Sequence, residues 1–488
     1  MLYYKVPSEM VLLDYRKTIK GGYYMNKNFR KMTTLGLATV LACTAFVGCG
    51  AKAETDKAAD AETTVETTDT KDVAVATEAP AAEAAALPKD YEGTLTMWGW
   101  DENYYKTMTT AFNKIYPNVK FEYTPVANGD LLQKYQTALA AGTELPDIGW
   151  SIVDSRAKVY ELDMWEPLNK APYNFDINGV FDYLKPIMVN STGDVCGIEQ
   201  SVAPAGMAYR KDLAKEYFGT DDPQKLAEML PTWDAFIEKG IEVKEKSAGK
   251  VYMWTGIADA QQFIRNQNDT PWIQDDKINM TAGLTKSIDL ATKFRDAGIV
   301  DTLEAWSPAW YASFGEGKHM FAGCATWTSQ FVIQPNDTTG KTEGHWGLMS
   351  APEGNISWGG TTLGITKTAK DKPLAWEFIK FATVSTEGAK ALNTIGLLTS
   401  AKAPYEEDAT LKSIKDAWFG DQDTGKFFID TVIPNIKLRA MNVDDNIIHD
   451  SLNMITTAIN NDKTIDTAKA MKLLKEELEI QLPDYTVE

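Results

Sequence analysis

Tryptophan is the most conspicuous residue in this chain of 488 residues, which contains fourteen of them. Aromatic faces pack against the C–H groups of a sugar ring, while carboxylates, amides and arginine hydrogen-bond the hydroxyls on its rim. The alternative is that each tryptophan fills a hydrophobic core. Most of them lie in or beside segments predicted to be loops: Trp98, Trp100, Trp150, Trp254, Trp272, Trp306, Trp310, Trp327, Trp346 and Trp358.

Acidic pairs raise the question of catalysis. Asp101-Glu102 and Asp444-Asp445 are adjacent residues, whereas a glycosidase sets two carboxylates about 5 to 9.5 Å apart across the scissile bond. The sequence contains no Gly-x-Ser-x-Gly, His-Glu-x-x-His or phosphate-loop motif, and its three histidines are far apart. We therefore expect no enzymatic activity, no cofactor and no metal site.

The elements that would position these residues alternate along the chain. Gly93 to Trp98 has the alternating pattern of a strand, and apolar residues at helical spacing follow from Tyr105 to Ile115. A second strand over 119–123, a helix that ends at Gly142 and a third strand at 146–150 complete the pattern. This order predicts an α/β fold with a mostly parallel sheet and helices on both faces.

Open parallel sheets bind ligands beyond the carboxyl ends of their strands. Trp100, Asp101 and Glu102 follow the first strand, and Trp150 and Asp154 follow the third. We therefore expect these five residues to face a ligand.

A further candidate precedes a strand instead of following one. Trp358-Gly359-Gly360 comes just before a strand predicted over 362–366. Glycine lets the backbone approach a ligand closely, so Trp358 and Gly360 are also predicted to contact it.

Several segments together carry a family resemblance. LTMWGW at 95–100, GDVCGIEQSVAPAGMAYRKDLAKEYFG at 193–219, GEGKHMFAGCATW at 315–327 and PEGNISWGGTTLGITKTAK at 352–370 follow one another in the family's order. The chain from about 92 to 485 resembles bacterial extracellular solute-binding lipoproteins of the carbohydrate type, family 1, which are similar to maltose-binding protein. These proteins are components of ATP-driven (ABC) importers.

The resemblance implies a two-lobed periplasmic-binding-protein-like fold of type II, with a hinge that the chain crosses more than once. Lobe one would hold 89–202 and 346–398, and lobe two would hold 203–345 and 399–488. Apolar residues at helical intervals from Ile447 to Ile459 and from Met471 to Leu478 predict two helices in the last segment.

The resemblance also implies ligand-binding residues. Trp327 falls within one residue of the family's cleft tryptophan. Trp310 and Arg439 lie near the cleft by analogy. The expected function is capture of a sugar, with an oligosaccharide favoured, and delivery to the transmembrane subunits of an ABC permease. The alternatives are a binding protein for a non-sugar solute and a secreted carbohydrate-active hydrolase or lyase.

The N-terminus predicts export. Residues 32–48 are apolar or small and follow Lys27, Arg30 and Lys31, as in a signal peptide. Phe46-Val47-Gly48-Cys49 resembles a lipobox, with phenylalanine where leucine is usual. We therefore expect 1–48 to be a leader and signal peptide, and we hypothesise that 1–24 are not native and that Met25 is the native start. Cys49 would be lipidated, and an ordinary secretory signal is the alternative.

The segment 49–88 joins this cysteine to the globular part. Residues 50–88 contain no aromatic side chain and are rich in Ala, Thr, Glu and Asp. We expect that they cannot bury enough apolar surface to fold. We expect a lipidated N-terminus followed by a disordered acidic linker. The protein would be anchored on the extracellular face of the cell membrane, in a Gram-positive-type bacterium.

Charge and cysteines limit the remaining partners. The net charge of −19 disfavours nucleic acid as a partner. The many tryptophans and the lack of a concentrated basic patch in the sequence favour a neutral sugar as the ligand. We expect the protein to be a monomer. Cys196 and Cys324 could form a disulfide outside the cell, but two free, buried thiols are favoured in a chain of this size.

Overall fold

The computed structural model describes residues 87–488. The predicted signal peptide, Cys49 and nearly all of the predicted linker lie outside the described residues. The strands are β1 Gly93–Gly99, β2 Val119–Pro125, β3 Ile148–Ile152, β4 Ile198–Glu199, β5 Pro204–Arg210, β6 Ile273–Gln274, β7 Lys277–Ile278, β8 Phe321–Ala325, β9 Trp346–Met349, β10 Ile356–Ser357, β11 Thr361–Ile365 and β12 Thr486–Val487.

The α-helices vary from one turn to five. They are α1 Glu102–Phe112, α2 Leu131–Ala141, α3 Arg156–Tyr160, α4 Lys211–Phe218, α5 Pro223–Met229, α6 Trp233–Lys246, α7 Ile257–Arg265, α8 Met280–Ala297, α9 Pro308–Ser313, α10 Gln334–Asn336, α11 Lys372–Val384, α12 Thr386–Asn393, α13 Ala403–Glu407, α14 Thr424–Lys426, α15 Asp445–Asn461 and α16 Thr467–Gln481. Two π-helical segments, Ser329–Ile333 and Phe427–Val432, also occur.

The first elements form for local reasons. Leu95 and Met97 are buried on one side of β1, as the alternation predicts. Asp101 caps α1 by accepting a hydrogen bond from the backbone N–H of Tyr104 at 2.9 Å. Gly142 ends α2 with a φ of 63°, a left-handed conformation that suits glycine. The predicted strand, helix, strand, helix, strand order is confirmed.

The first sheet has the strand order β2-β1-β3-β11-β4. β1 pairs in parallel with β2 and β3, and β11 runs antiparallel to β3 and β4. Helices α11 and α12 pack against α1 and complete the lobe built around this sheet, lobe one. The prediction of a mostly parallel sheet holds here for strand direction, since only β11 is reversed.

The second sheet is antiparallel, so the prediction of mostly parallel sheets is wrong for it. β5 lies at its centre and pairs antiparallel with β8, β9 and β10. The chain enters the sheet along β5 and comes back along its neighbours in the opposite direction. Helices α15 and α16 pack on α8 and α7 in the lobe built around this sheet, lobe two, and confirm the two predicted C-terminal helices.

Strand pairing also corrects one predicted lobe boundary. The sequence placed the return to lobe one at residue 346, but β9 and β10 pair with β5 of the second sheet. The chain returns between Ser357 and Thr361, where β11 joins the first sheet. Likewise α13, expected in lobe two, packs on α12 of lobe one. The other predicted boundaries stay predictions.

Candidate ligand-binding site

A cavity of about 320 Å³ lies where the two lobes meet. Its volume is at the lower end of the range of small-molecule sites, about 300 to 1,000 Å³. Residues 357–361, in which the chain returns to lobe one, are called the return segment. Lobe one and the return segment contribute Val153, Asp154, Ala157, Ile187, Ser357, Trp358 and Gly359. Lobe two contributes Gln262, Arg265, Asn266, Trp272, Leu438, Arg439, Met441, Asn442, Asp445, Asn446, His449 and Asp450. The structure thus brings together three predicted residues: Asp154, Trp358 and Arg439.

The turn after β3 forms the lobe-one wall. The backbone N–H of Val153 donates to the carbonyl of Gly360 at 3.0 Å, which ties this turn to the return segment. Asp154 next to it is exposed to the solvent in the cleft. Desolvation by the surrounding protein raises the pKa of Asp154, while Arg265 of lobe two and Arg156 oppose that shift. Asp154 is therefore a carboxylate that faces an arginine across the cavity.

Aromatic side chains extend from the cavity along one side. Trp358 lines the cavity, and its carbonyl accepts a hydrogen bond from Trp327 Nε1 at 2.9 Å. The two rings meet edge to face at 5.3 Å. Trp306 stacks on Trp327 at 6.2 Å and is 45% exposed. Its φ of 68° is uncommon for a residue with a side chain. Trp306, Trp327 and Trp358 thus form a shelf, which we call the aromatic shelf.

The lobe-two wall holds two arginines. The Arg439 guanidinium lies 3.6 Å from the ring centre of Trp272, and its Nη2 is 3.7 Å from the Asp445 carboxylate. Arg265 Nη2 donates to His449 Nδ1 at 2.9 Å. Desolvation, together with Arg265 and Arg439, lowers the pKa of His449 to about 3. His449 is therefore neutral near pH 7 and can accept that hydrogen bond.

Gly360 does not line the cavity. It has a φ of 129°, and a Cβ on it would lie 2.2 Å from Glu199 Oε1. Glu199 forms an ion pair of 2.9 Å with Arg156, and both side chains are buried. The glycine is required because the return segment passes directly over this ion pair. A ligand contact for Gly360 stays a prediction.

Four predicted residues lie together in lobe one, outside the cavity. Trp100 meets Trp150 edge to face at 5.3 Å, and Trp150 is only 1% exposed. The Asp101 side chain serves as the cap of α1, and burial raises its pKa. Glu102 forms an exposed ion pair with Lys106. These contacts explain Trp150 and Asp101 as structural residues, and their contact with a ligand stays a prediction.

The structure places Trp327 and Trp310, the two predicted residues from the middle of the chain, in different surroundings. Trp327 is half-buried in the aromatic shelf next to the cavity. Trp310 is buried, and its Nε1 donates to Asp259 at 3.2 Å inside lobe two. Trp310 supports Trp306, whose ring lies 4.9 Å away, and does not line the cavity.

Sequence reasoning missed most of the lobe-two wall. Asn442, Asp445, Asn446, His449 and Asp450 recur at intervals of three and four at the start of α15. That spacing puts polar side chains on one helical face, opposite the apolar face that packs in the core. The pattern is visible in the sequence, but polar helix faces usually meet only solvent.

Other features of residues 87–488 offer no competing centre. An open groove of about 560 Å³ beside Trp98 lies on lobe one alone, where Lys134 and Tyr135 already cover that ring. No group of His, Cys, Asp or Glu in this range is arranged to hold a metal ion, and no helix in it could span a membrane. Cys196 and Cys324 are free and buried, as favoured from the sequence.

Comparisons with known proteins agree with this architecture. A lactose-binding protein from Rhizobium radiobacter is 26% identical over 370 residues, which cover 70% of this chain and 83% of that protein. An arabinooligosaccharide-binding protein from Bacillus subtilis (strain 168) is 25% identical over 321 residues, which cover 62% of this chain and 72% of that protein.

A crystal structure of an extracellular solute-binding protein of family 1 superposes with a TM-score of 0.70. It is 20% identical and covers 80% of this chain and 99% of its own, which confirms the two-lobed binding-protein fold. A model of the family described as bacterial extracellular solute-binding protein matches residues 107–417. Because that match spans well over half of the sequence, the chain belongs to the family of bacterial extracellular solute-binding proteins.

Proposed function

We propose that this protein captures a sugar between its two lobes, with an oligosaccharide favoured, and delivers it to the permease of an ABC importer. The observation that carries the proposal is the cavity between the lobes, where Trp272 and Trp358 stand beside carboxylates, amides and two arginines. Flat apolar faces together with hydrogen-bonding groups suit a sugar ring and its hydroxyls. The sugar-binding relatives support the same class of ligand.

Closure of the lobes follows from where the polar groups stand. Asp154 of lobe one and Arg265 of lobe two line the same cavity and attract each other. Burial raises the pKa of Asp450 of lobe two, and the charge of Lys158 of lobe one opposes that shift. A sugar that contacts both walls stabilises the closed state relative to the open one, and so shifts the population toward closure.

Thermal unfolding in the presence of sugars tests the proposal. Lactose, arabinotriose and maltotriose serve as probes, and at least one is expected to raise the unfolding temperature in a saturable manner. Trp358→Ala should weaken that response, while Trp418→Ala is the control because Trp418 does not line the cavity. No response to any sugar, with a saturable response to an oligopeptide or a polyamine, would favour the non-sugar alternative.

The hydrolase alternative has its own readout. Asp154, Asp445 and Asp450 supply carboxylates to one cavity. Product analysis after prolonged incubation of the protein with the bound sugar distinguishes the two functions. We expect the sugar to be recovered intact, and release of shorter sugars would identify an enzyme.

We also infer that the protein is exported and anchored through Cys49 to the extracellular face of the cell membrane, as a monomer. The basic and apolar leader and the Phe46-Val47-Gly48-Cys49 sequence support this proposal. Two or more acyl chains would anchor it stably. Labelled palmitate should be incorporated by the full chain and not by Cys49→Ser. Labelling of that variant would refute the anchor, and light scattering of the purified protein tests the monomer.

A further inference from the structure

Four polar atoms in the lobe-two wall have no hydrogen-bond partner among residues 87–488. They are Trp272 Nε1, Arg439 Nε, Asp445 Oδ1 and Asn446 Oδ1, and each is shielded from bulk solvent. All four residues line the cavity between the lobes. Buried polar groups are nearly always paired in folded proteins, so four unpaired groups in one wall require an explanation.

These atoms are balanced in hydrogen-bonding character. Trp272 Nε1 and Arg439 Nε carry hydrogens and can only donate, whereas Asp445 Oδ1 and Asn446 Oδ1 can accept. The other oxygen of the Asp445 carboxylate, Oδ2, already accepts a hydrogen bond from the backbone N–H of Asn442 at 3.2 Å. The wall therefore holds two donors and two acceptors that no described residue pairs.

The group is also balanced in charge. Arg439 Nη2 lies 3.7 Å from Asp445 Oδ2, so the single positive side chain is paired with a single negative one. The Arg439 guanidinium lies over the Trp272 ring, 3.6 Å from its centre, and this contact restricts its freedom to turn toward another partner. A charged ligand group placed here would meet one like charge for each opposite charge.

We propose that Trp272, Arg439, Asp445 and Asn446 form a subsite for the hydroxyl-bearing edge of one neutral sugar ring; this rests on the proposed function. A hydroxyl both donates and accepts, so two neighbouring hydroxyls satisfy all four atoms. A uronate carboxylate accepts only and would leave the acceptors of Asp445 and Asn446 unpaired. An ammonium group donates only and would leave the donors of Trp272 and Arg439 unpaired.

Titration calorimetry with lactose, arabinotriose, trigalacturonate and chitosan trimer tests this subsite. The wild-type protein is expected to bind a neutral probe more tightly than either charged probe. Failure to bind any of the four would count against the proposed function itself. Tighter binding of trigalacturonate or chitosan trimer would overturn the subsite while leaving sugar capture intact.

Asp445→Asn is the decisive variant. It leaves Arg439 without its counter-ion, and it removes a charged acceptor. We expect affinity for the neutral probe to fall about ten-fold or more, as for loss of a hydrogen bond to a charged group, and affinity for trigalacturonate to rise. Unchanged affinity for the neutral probe in a folded variant would overturn the subsite.

The neighbouring carboxylate supplies a matched control. Asp444 does not line the cavity, and its side chain accepts a hydrogen bond from Tyr485 Oη at 3.1 Å. Asp444→Asn should therefore change affinity by no more than about two-fold. Should Asp445→Asn fail to fold, Asn446→Ala gives the same test, because Asn446 Oδ1 has no partner to lose in the part of the chain that the structure describes. Neutral-probe affinity that survives Asn446→Ala would likewise overturn the proposal.

Discussion

The buried ion pair beneath the return segment offers the sharpest prediction of stability. Arg156 and Glu199 are 2.9 Å apart, with side chains 0% and 1% exposed. Arg156 also donates to the carbonyls of Ser151 and Ile187, at 3.2 and 3.3 Å. The pair thus joins β3, the start of α3, the 3₁₀ segment that contains Ile187 and the strand β4 that precedes the crossing to the second sheet.

Arg156→Met should destabilise the protein strongly. Removal of one partner of a buried ion pair costs about 3 to 5 kcal/mol, because the other charge stays buried without compensation. Glu199→Leu combined with Arg156→Met should recover most of that loss, since no charge is then buried. Arg210→Met is the control: Arg210 is buried too, but its partner Asp212 is 40% exposed. The Asp212 carboxylate can be hydrated after the substitution, so the free energy of unfolding should fall by only about 1 kcal/mol.

The pH dependence gives the same prediction an independent check. Burial raises the pKa of Glu199, and Arg156 opposes that shift. Without Arg156 the pKa in the folded state rises further, so the folded protein holds a proton that the unfolded chain releases. Stability of Arg156→Met should therefore increase as the pH falls from 7 toward 5, relative to wild type.

Urea unfolding followed by tryptophan fluorescence at pH 5 and pH 7 measures both effects. A loss below about 1 kcal/mol at pH 7 would show that the Glu199 carboxylate is not trapped without its partner, and would refute the reasoning. A double variant as unstable as the single one would show that Arg156 acts through its carbonyl contacts instead of its charge.

Three further predictions concern the cavity and its surroundings. Trp306→Ala should weaken binding of arabinotriose by about three- to ten-fold, the value of one aromatic contact. The unfolding temperature should fall only slightly, because the ring is 45% exposed although it packs on Trp310 and Trp327. Unchanged affinity, with Ile480→Ala as the surface control, would remove Trp306 from the ligand path. Trp310→Phe should lower the free energy of unfolding by about 1 kcal/mol, since the hydrogen bond from the indole N–H to Asp259 is lost. Sugar affinity measured by calorimetry should not change. A large drop in affinity would contradict the structural role of Trp310. The pKa of His449 is lowered to about 3 in the folded state, so the unfolded chain binds a proton first and stability is lost as the pH falls from 6.5 toward 3. His449→Gln should flatten that part of the pH–stability curve. An unaltered curve would contradict the lowered pKa.

The sequence predicted the local elements well, because local patterns decide them. The alternation in β1, the Asp101 cap and the glycine after α2 depend on neighbours within a few positions. Trp150 shows where local patterns stop, and its contact with a ligand stays a prediction. It ends a predicted strand and so pointed to a ligand, yet its ring packs against Tyr104 and over Gly99 inside the lobe-one core. Which face of a strand meets a helix and which meets a cleft is not a local property.

The sequence by itself determined the kind of molecule. It predicted the order of strands and helices, a family resemblance across the globular part, and a set of tryptophans suited to binding sugars. Only the tertiary structure decided which of those side chains meet. Asp154, Trp358 and Arg439 line one cavity although at least eighty residues separate each from the next. Their meeting depends on β11 returning to the first sheet and on α15 packing on lobe two. These long-range contacts form because each lobe must bury its own apolar faces, and the cleft is the surface left between them.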